Sequence, residues 1–385
     1  MNKRKICVVV TARPSYSRIR SALSAIVAHP GLELQLVVTS SALLDRYGKA
    51  IDVIRKDGFV PTATVFNVLE GEDPRSMAKT TGLGIIELSS VLDSLSPDVV
   101  VSIADRYETM ATAIAASYMN IPLCHVQGGE VTGSIDEKVR HAITKLSDLH
   151  LVSNEHARER LIKMGERSES IHVTGCPSID IAADAVAGDF DTLSIIERYP
   201  SLGGTVDFAM GYQVVLQHPV TTEYQKARKQ ITQTLEAVEA SNIPTLWFWP
   251  NVDAGADGTS KGIRSFREHG RGKNIRYFKN MEPADFLRVL KGSQCIIGNS
   301  SVAIRECSFL GVPAINIGSR QQGRDRGSNV IDVEHDSAKI LEAIRSHGKM
   351  RMGSCDTLYG NGRSGVKIAE CLSEAKLSFA KRLTY

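Results

Sequence analysis

The stretch PDVVVSIADRYETMATAIAASYMNIPLCHV, residues 97–126, decides the fold. PDVVVSIAD holds an apolar run too short for a helix, rich in Val and Ile, and reads as a strand buried on both faces. RYETMATAIAASYMN follows with the spacing of a helix, and IPLCHV is another buried strand. Strand, helix and strand in direct succession are the repeating unit of a parallel sheet covered by helices.

The alternation extends in both directions. Upstream lie the strand KICVVV, a Pro-marked turn into the helix TARPSYSRIRSALSAIVAH, the strand LELQLVVTS, a helical stretch near SALLDRYGKAIDVIRKDG and a long helix from about Ser76 to Leu95. Downstream, LHLVSN and SIHVTGCPSID continue the pattern, and a less regular polar segment runs from about Ala185 to Asp207. The pattern then restarts with YQVVLQHP, YQKARKQITQTLEAVEA, PTLWFWPN, IRYFKN, ADFLRVLKGS, QCIIGNS, VAIRECSFLG and VPAINIG. Two α/β halves of similar size predict two Rossmann-like domains, 1–185 and 186–364, facing one another across a central cleft. Ligands of open parallel sheets sit beyond the carboxyl ends of the strands, so the post-strand loops are the place to look for chemistry.

Those loops concentrate the polar residues. Arg13, Ser15 and Ser17 follow the first strand, Asp105 and Arg106 follow PDVVVSIA, and HVQGGEVTGSIDEKVRHAITK (125–145) follows IPLC. In the second half, His218 follows YQVVLQ, Asn251 and Asp253 follow PTLWFWP, Ser300 and Ser301 follow QCIIG, and Arg320 and Arg324 follow VPAINIG. Each has an ordinary structural reading: a polar loop and solvated helix for 125–145, a helix cap for Asp105, Ser300 or Ser301, a hydrogen-bonded core imidazole for His218. As a set they suit acid/base chemistry on a sugar nucleotide, with the Gly-Asn-Ser-Ser turn as a phosphate cradle. GxxxxGK[ST] is absent and no GxGxxG follows the first strand, which argues against a nucleotide hydrolase or a dinucleotide oxidoreductase. The histidines do not pair at metal-ligand spacing, so no metal and no cofactor are expected.

Composition agrees. The 385 residues are 42% apolar and 23% charged, with a formal charge of +3, which argues for neither nucleic acid nor a membrane as partner and does not oppose a phosphorylated small substrate. Seven cysteines lie scattered with no CxxC, as in reduced cytoplasmic proteins, and ICVVV is too short for a signal peptide or a membrane span.

The motifs TARPSYSRI, ADRYETMATAIAA, HVQGGEVTGSIDEKVRHAITKLSDLH, VTGCPSID, QHPVTTE, PNVDAGADG and GNSSVAIRECSFLGVPAINIGSRQQGR resemble those of hydrolysing UDP-N-acetylglucosamine 2-epimerases over essentially the full length. The resemblance implies the two-Rossmann-domain fold shared with GT-B glycosyltransferases, with a C-terminal helix near 365–385 packing back on the first domain. It implies loss of the carbon-2 proton and departure of UDP to give a glycal, then addition of water, yielding N-acetylmannosamine and UDP. Non-hydrolysing epimerases carry EAGLRTG-like and DSGGxQEE-like motifs at the corresponding places. The resemblance further implies Asp105, Asp136, Glu137 and His218 as catalytic groups and Arg13, Ser17, Arg106, Asn251, Ser300, Ser301 and Arg320 as substrate-binding ones. Glu306 is expected to take the ribose hydroxyls, uracil to lodge near KNMEP (279–283) at Met281, and Arg140 and His141 to support the acids. A homodimer or homotetramer is expected.

One position departs from the pattern. Gln127 stands where many relatives have a carboxylate, so either Glu130 or Asp136 is the base, or Gln127 only orients the sugar or a water. Alternatively it marks a branch acting on a UDP-linked 2,4-diacetamido-2,4,6-trideoxy sugar, a precursor of legionaminic-type acids. A glycosyltransferase on the same fold, or a sugar-nucleotide-binding regulator without activity, are the rival readings.

Overall fold

A computed structural model describes residues 3–69, 74–131, 135–250, 256–350, 355–382 and 384. The chain forms two compact units, Met1–Asp180 joined by Gly360–Tyr385, and Ile181–Tyr359. These divisions fall about five residues before the expected ones.

The first unit is built on strands β1 (Arg4–Val10), β2 (Leu32–Thr39), β3 (Ala63–Val65), β4 (Val99–Ile103), β5 (Leu123–Val126), β6 (Leu149–Val152) and β7 (Ile171–Val173). Their order is β3-β2-β1-β4-β5-β6-β7, every pairing parallel. Alternate side chains of β1 serve opposite cores: Ile6, Val8 and Val10 join one apolar cluster, Cys7 and Val9 the other. That two-sided burial is why the strand reads as an unbroken apolar run.

The second unit carries β8 (Ser201–Gly203), β9 (Gln213–Leu216), β10 (Thr245–Phe248), β11 (Ile275–Phe278), β12 (Ile296–Gly298), β13 (Ala314–Ile317) and β14 (Val330–Val333), in the order β14-β13-β12-β9-β10-β11-β8. Only β8, on the edge, runs antiparallel. Here too the faces alternate, Leu246 and Phe248 entering one cluster and Trp247 the other. In each sheet the strand order reverses beside the first-formed central strand, between β1 and β4 and between β9 and β12. These reversals open a crevice where ligands of doubly wound sheets bind.

The last helix, Ser364–Glu374, belongs to the first unit. Its opening amides, at Ser364 and Gly365, donate to the Asp180 carboxylate at 2.8 and 2.6 Å, and Ile368, Ala369 and Leu372 enter the first core. A Cβ on Gly365 would stand 2.5 Å from the backbone of Ser21, so only glycine allows the helices to approach this closely. The helix is shorter than expected, ending at Glu374 because the following chain is drawn elsewhere: Leu377 packs on the core and Lys381 reaches the buried Glu166 at 2.6 Å.

Glu166 also accepts from Lys145 at 2.7 Å and His150 at 3.0 Å. Burial opposes its charge, but the bonds from His150, Lys145 and Lys381 outweigh that and hold the carboxyl down at about 2. A carboxylate lowered in this way stabilises the fold above its ordinary range and ceases to do so as pH falls toward 2. Glu166→Gln should cost about 3 kcal/mol, because two ammonium groups lose their counter-charge. Urea titration at pH 7 reads this, with faster amide exchange over 375–382 as the accompanying sign; an unchanged midpoint would remove the cluster from the stability of the unit.

Candidate active site

At the first reversal, Asp105 stands just beyond β4. Arg140, 1% exposed in the helix Ile135–Leu146, donates to its carboxylate and, at 2.6 Å, to the carbonyl of Glu130. Arg18 lies 3.5 Å from the other carboxylate oxygen. Arg140 therefore joins the loops after β4 and β5, through the Asp105 carboxylate and the Glu130 main-chain carbonyl. His141 lies 3.4 Å from Glu137, one helical turn away.

Two non-glycine residues sit in the left-handed region where β4 and β5 end, Ala104 (φ 61°) and Gln127 (φ 68°). Such conformations cost energy and gather at functional sites. His125 fastens the first of them, Nε2 donating to the Ala104 carbonyl at 2.8 Å and Nδ1 meeting the Thr144 hydroxyl at 3.1 Å. Burial pushes this imidazole down to about 3, so it stays neutral.

The carboxylates of this region differ in access. Glu130 is buried and accepts from Ser153 at 3.1 Å. Asp136 and Glu137 occupy the first turn of their helix, both partly exposed. Gln127 is buried, its Nε2 donating to Cys176 Sγ at 2.9 Å while Oε1 has no hydrogen-bond partner.

RYETMATAIAASYMN is not helical throughout: the helix starts only at Thr109, leaving Arg106 on the post-strand loop, where its guanidinium forks onto Glu108 with both bonds at 3.1 Å. After β1 the chain makes a short helix, Arg13–Ser17, on which Arg13 is exposed, Ser15 is buried near Thr11, and the Ser17 hydroxyl donates to the Pro14 carbonyl at 2.9 Å.

The second reversal is organised by a residue the sequence reading passed over. Asn299, fully buried, accepts from the His218 amide and donates to the His218 carbonyl, both at 2.8 Å. Its own carbonyl receives Arg320 at 3.1 Å and Gln321 at 2.9 Å. One residue thus ties three loops, its carboxamide joining those after β9 and β12 and its main-chain carbonyl holding the one after β13. Gly298, at φ 136°, makes this possible, since a Cβ there would lie 2.2 Å from the Leu216 carbonyl. Burial, aided by the Arg320 charge, pushes His218 down to about 3, so it is a neutral hydrogen-bonding group and not a standing acid.

Ser300 caps the following helix, its hydroxyl accepting from the Val302 amide at 3.5 Å, and Ser301 is the first helical residue. That helix is a single turn, Ser301–Ile304, bent at Arg305 before Glu306–Leu310. The expected cradle therefore offers a few open amides and little of a long helix's dipole. Glu306 keeps one carboxylate oxygen buried without a hydrogen-bond partner. Met281 is buried in an apolar cluster with Phe248 and Phe278, so its side chain serves the core. Asn251, Asp253 and Thr132–Ser134 lie outside the described residues. Among the described residues no three His, Cys, Asp or Glu could hold a metal, and no helix is long and apolar enough to cross a membrane.

The family model for UDP-N-acetylglucosamine 2-epimerase matches residues 24–373. The chain is 32% identical over 377 residues to the UDP-N,N'-diacetylbacillosamine 2-epimerase (hydrolyzing) of Legionella pneumophila, covering 97% of both chains. It is 30% identical over 360 residues to the UDP-N-acetylglucosamine 2-epimerase of Neisseria meningitidis serogroup B, covering 94% of this chain and 91% of that one. In fold it is similar to the crystal structure of UDP-GlcNAc 2-epimerase from Neisseria meningitidis bound to UDP-GlcNAc, with a TM-score of 0.80 at 18% identity over 96% of this chain and all of that one.

Proposed function

Because the chain belongs to the UDP-N-acetylglucosamine 2-epimerase family, we propose that it is an epimerase of the hydrolysing kind, turning UDP-N-acetylglucosamine and water into N-acetylmannosamine and UDP. The observation that carries this reading is the neutral His218 locked by Asn299 beside Arg320, a ready receiver for a departing diphosphate.

Asp136 takes the proton from carbon 2 while the bond from carbon 1 to the diphosphate oxygen breaks, the electron pair leaving with UDP to give the glycal. Asp136 is assigned from the resemblance; it stands partly exposed in the first turn of Ile135–Leu146, within the charge of Arg106. Arg320, the Ser301 amide and the His218 ring N–H meet the charge gathering on the leaving group. Water then adds its hydroxyl to carbon 1, a proton returns to carbon 2 on the opposite face, and Asp105 orients the water. Arg106, Arg13 and Ser17 hold the sugar side, the open oxygen of Glu306 takes the ribose hydroxyls, and the backbone of 279–282 meets uracil. Asn251 is assigned to the substrate from the resemblance alone.

A second reading keeps the chemistry and changes the sugar to UDP-2,4-diacetamido-2,4,6-trideoxyglucose. It is supported by the name of the Legionella relative and by Gln127. Proton NMR in deuterated water separates the readings. Free N-acetylmannosamine deuterated at carbon 2, plus UDP, is the expected result. The same chemistry on the diacetamido sugar alone would favour the second reading, a UDP-linked epimer would mean the non-hydrolysing reaction, and inertness toward both sugars would overturn the assignment.

A further inference from the structure

Glu108 occupies the N-cap position of the helix Thr109–Tyr118, yet its side chain makes no capping bond. A glutamate placed there for the helix would be a poor choice, since short hydroxyl, Asn or Asp side chains serve that position. Its carboxylate has no exposed surface, a costly placement for a charge without good partners. The partners are specific. Oε2 receives Arg106 Nε and Oε1 receives Arg106 Nη2, both at 3.1 Å, the planar two-bond match of guanidinium and carboxylate. Oε1 also lies 3.1 Å from the Ser41 hydroxyl, which is 3.0 Å from the Thr11 carbonyl. The group therefore joins the loops after β1, β2 and β4 at the strand reversal. Arg106 itself remains two-fifths exposed and feels the charge of Asp136.

We propose that Glu108 is a positioning residue: it fixes the plane and direction of the Arg106 guanidinium, so that Arg106 presents its remaining N–H groups to the bound UDP-sugar in one geometry. The proposal deepens the function put forward above and rests on it for the ligand. Without the fork the arginine is a mobile charge on a loop, and each turnover must first order it.

The test uses the full chain with Glu108→Gln, which keeps the shape and removes the charge. Two readouts are combined. In arginine-labelled protein, the Arg106 Nε–H resonance, assigned by its loss in Arg106→Lys, should be sharp and slowly exchanging in the wild type and averaged with solvent in Glu108→Gln. In kinetics, Glu108→Gln should raise KM for the UDP-sugar about 10-fold, with kcat changed less than about 3-fold and UDP affinity unaltered. Arg106→Lys keeps the charge but cannot form the fork, and should show the same split. The double variant should be no worse than either single one, as expected of residues acting as a unit. An unchanged Arg106 resonance, or effects that multiply in the double variant, would overturn the proposal. If the wild type turns over no UDP-sugar, the functional reading fails, and the resonance alone decides whether Glu108 orders Arg106. Should Glu108→Gln not fold, Arg106→Lys carries the kinetic test, and a KM within 2-fold of wild type would overturn it.

Discussion

Asp136→Asn should lower kcat about 1,000-fold while leaving UDP affinity within about 2-fold, since the amide keeps the shape of the side chain but cannot take a proton from carbon. Deuterium entry at carbon 2 should fall in step with sugar release, because both depend on the first proton transfer. Asp136 lies in the first turn of Ile135–Leu146, where a carboxylate favours the helix modestly, so the substitution removes only a few tenths of a kcal/mol from the fold. The measurement is the deuterated-water reaction followed by NMR beside a calorimetric titration with UDP. Exchange continuing at the wild-type rate while sugar release stops would assign Asp136 to the second stage. Unchanged values of both would pass the base role to Glu130, the alternative base in the GGEVTGSIDE stretch.

Acid should weaken the fold well before its carboxylates titrate. His125 and His218 are each pushed down to about 3, and His150 is lowered as well, in all three cases chiefly by burial. In the unfolded chain each takes up a proton near pH 6.5 that the folded chain refuses. Stability is therefore full above pH 6.5 and declines as pH falls toward 3, by about 2 kcal/mol per fully excluded histidine at pH 5. The urea midpoint should drop steadily between pH 7.5 and 5. His125→Gln, whose amide can still donate to the Ala104 carbonyl, should flatten that decline by roughly one proton in the linkage slope. A midpoint constant over this range would mean that water reaches these rings in the folded protein.

Both sheets were legible because their central strands are buried on two faces and so appear as uninterrupted Val- and Ile-rich runs. Three of the four edge strands escaped for the opposite reason. ATV, SLG and VIDV are three or four residues long and mostly half-exposed, which leaves no pattern to recognise. The site followed the same division. Residues that face solvent after a strand, such as Asp105 and Arg106, stand out by charge and position. Asn299 and Glu108 act from inside, and nothing in a single sequence separates a buried clamp from its neighbours. Asn299 lies within the GNSS turn, where the two hydroxyls carry the more familiar phosphate-binding signal. Glu108 was read as part of a helix that begins one residue later. Met281 shows the reverse error of emphasis, a residue singled out in a loop whose side chain turns into the core.

The closure of the first unit by Ser364–Glu374 sets an order of events on the ribosome. Residues 181–359 form one uninterrupted segment, so the second unit has its whole sequence available before that helix is made. The first unit has to wait, with the surface later covered by Ile368, Ala369 and Leu372 open to solvent or chaperone until that helix has been made. A stop codon placed between Tyr359 and Ser364 would therefore spare the part made in the middle and leave the part made first incomplete.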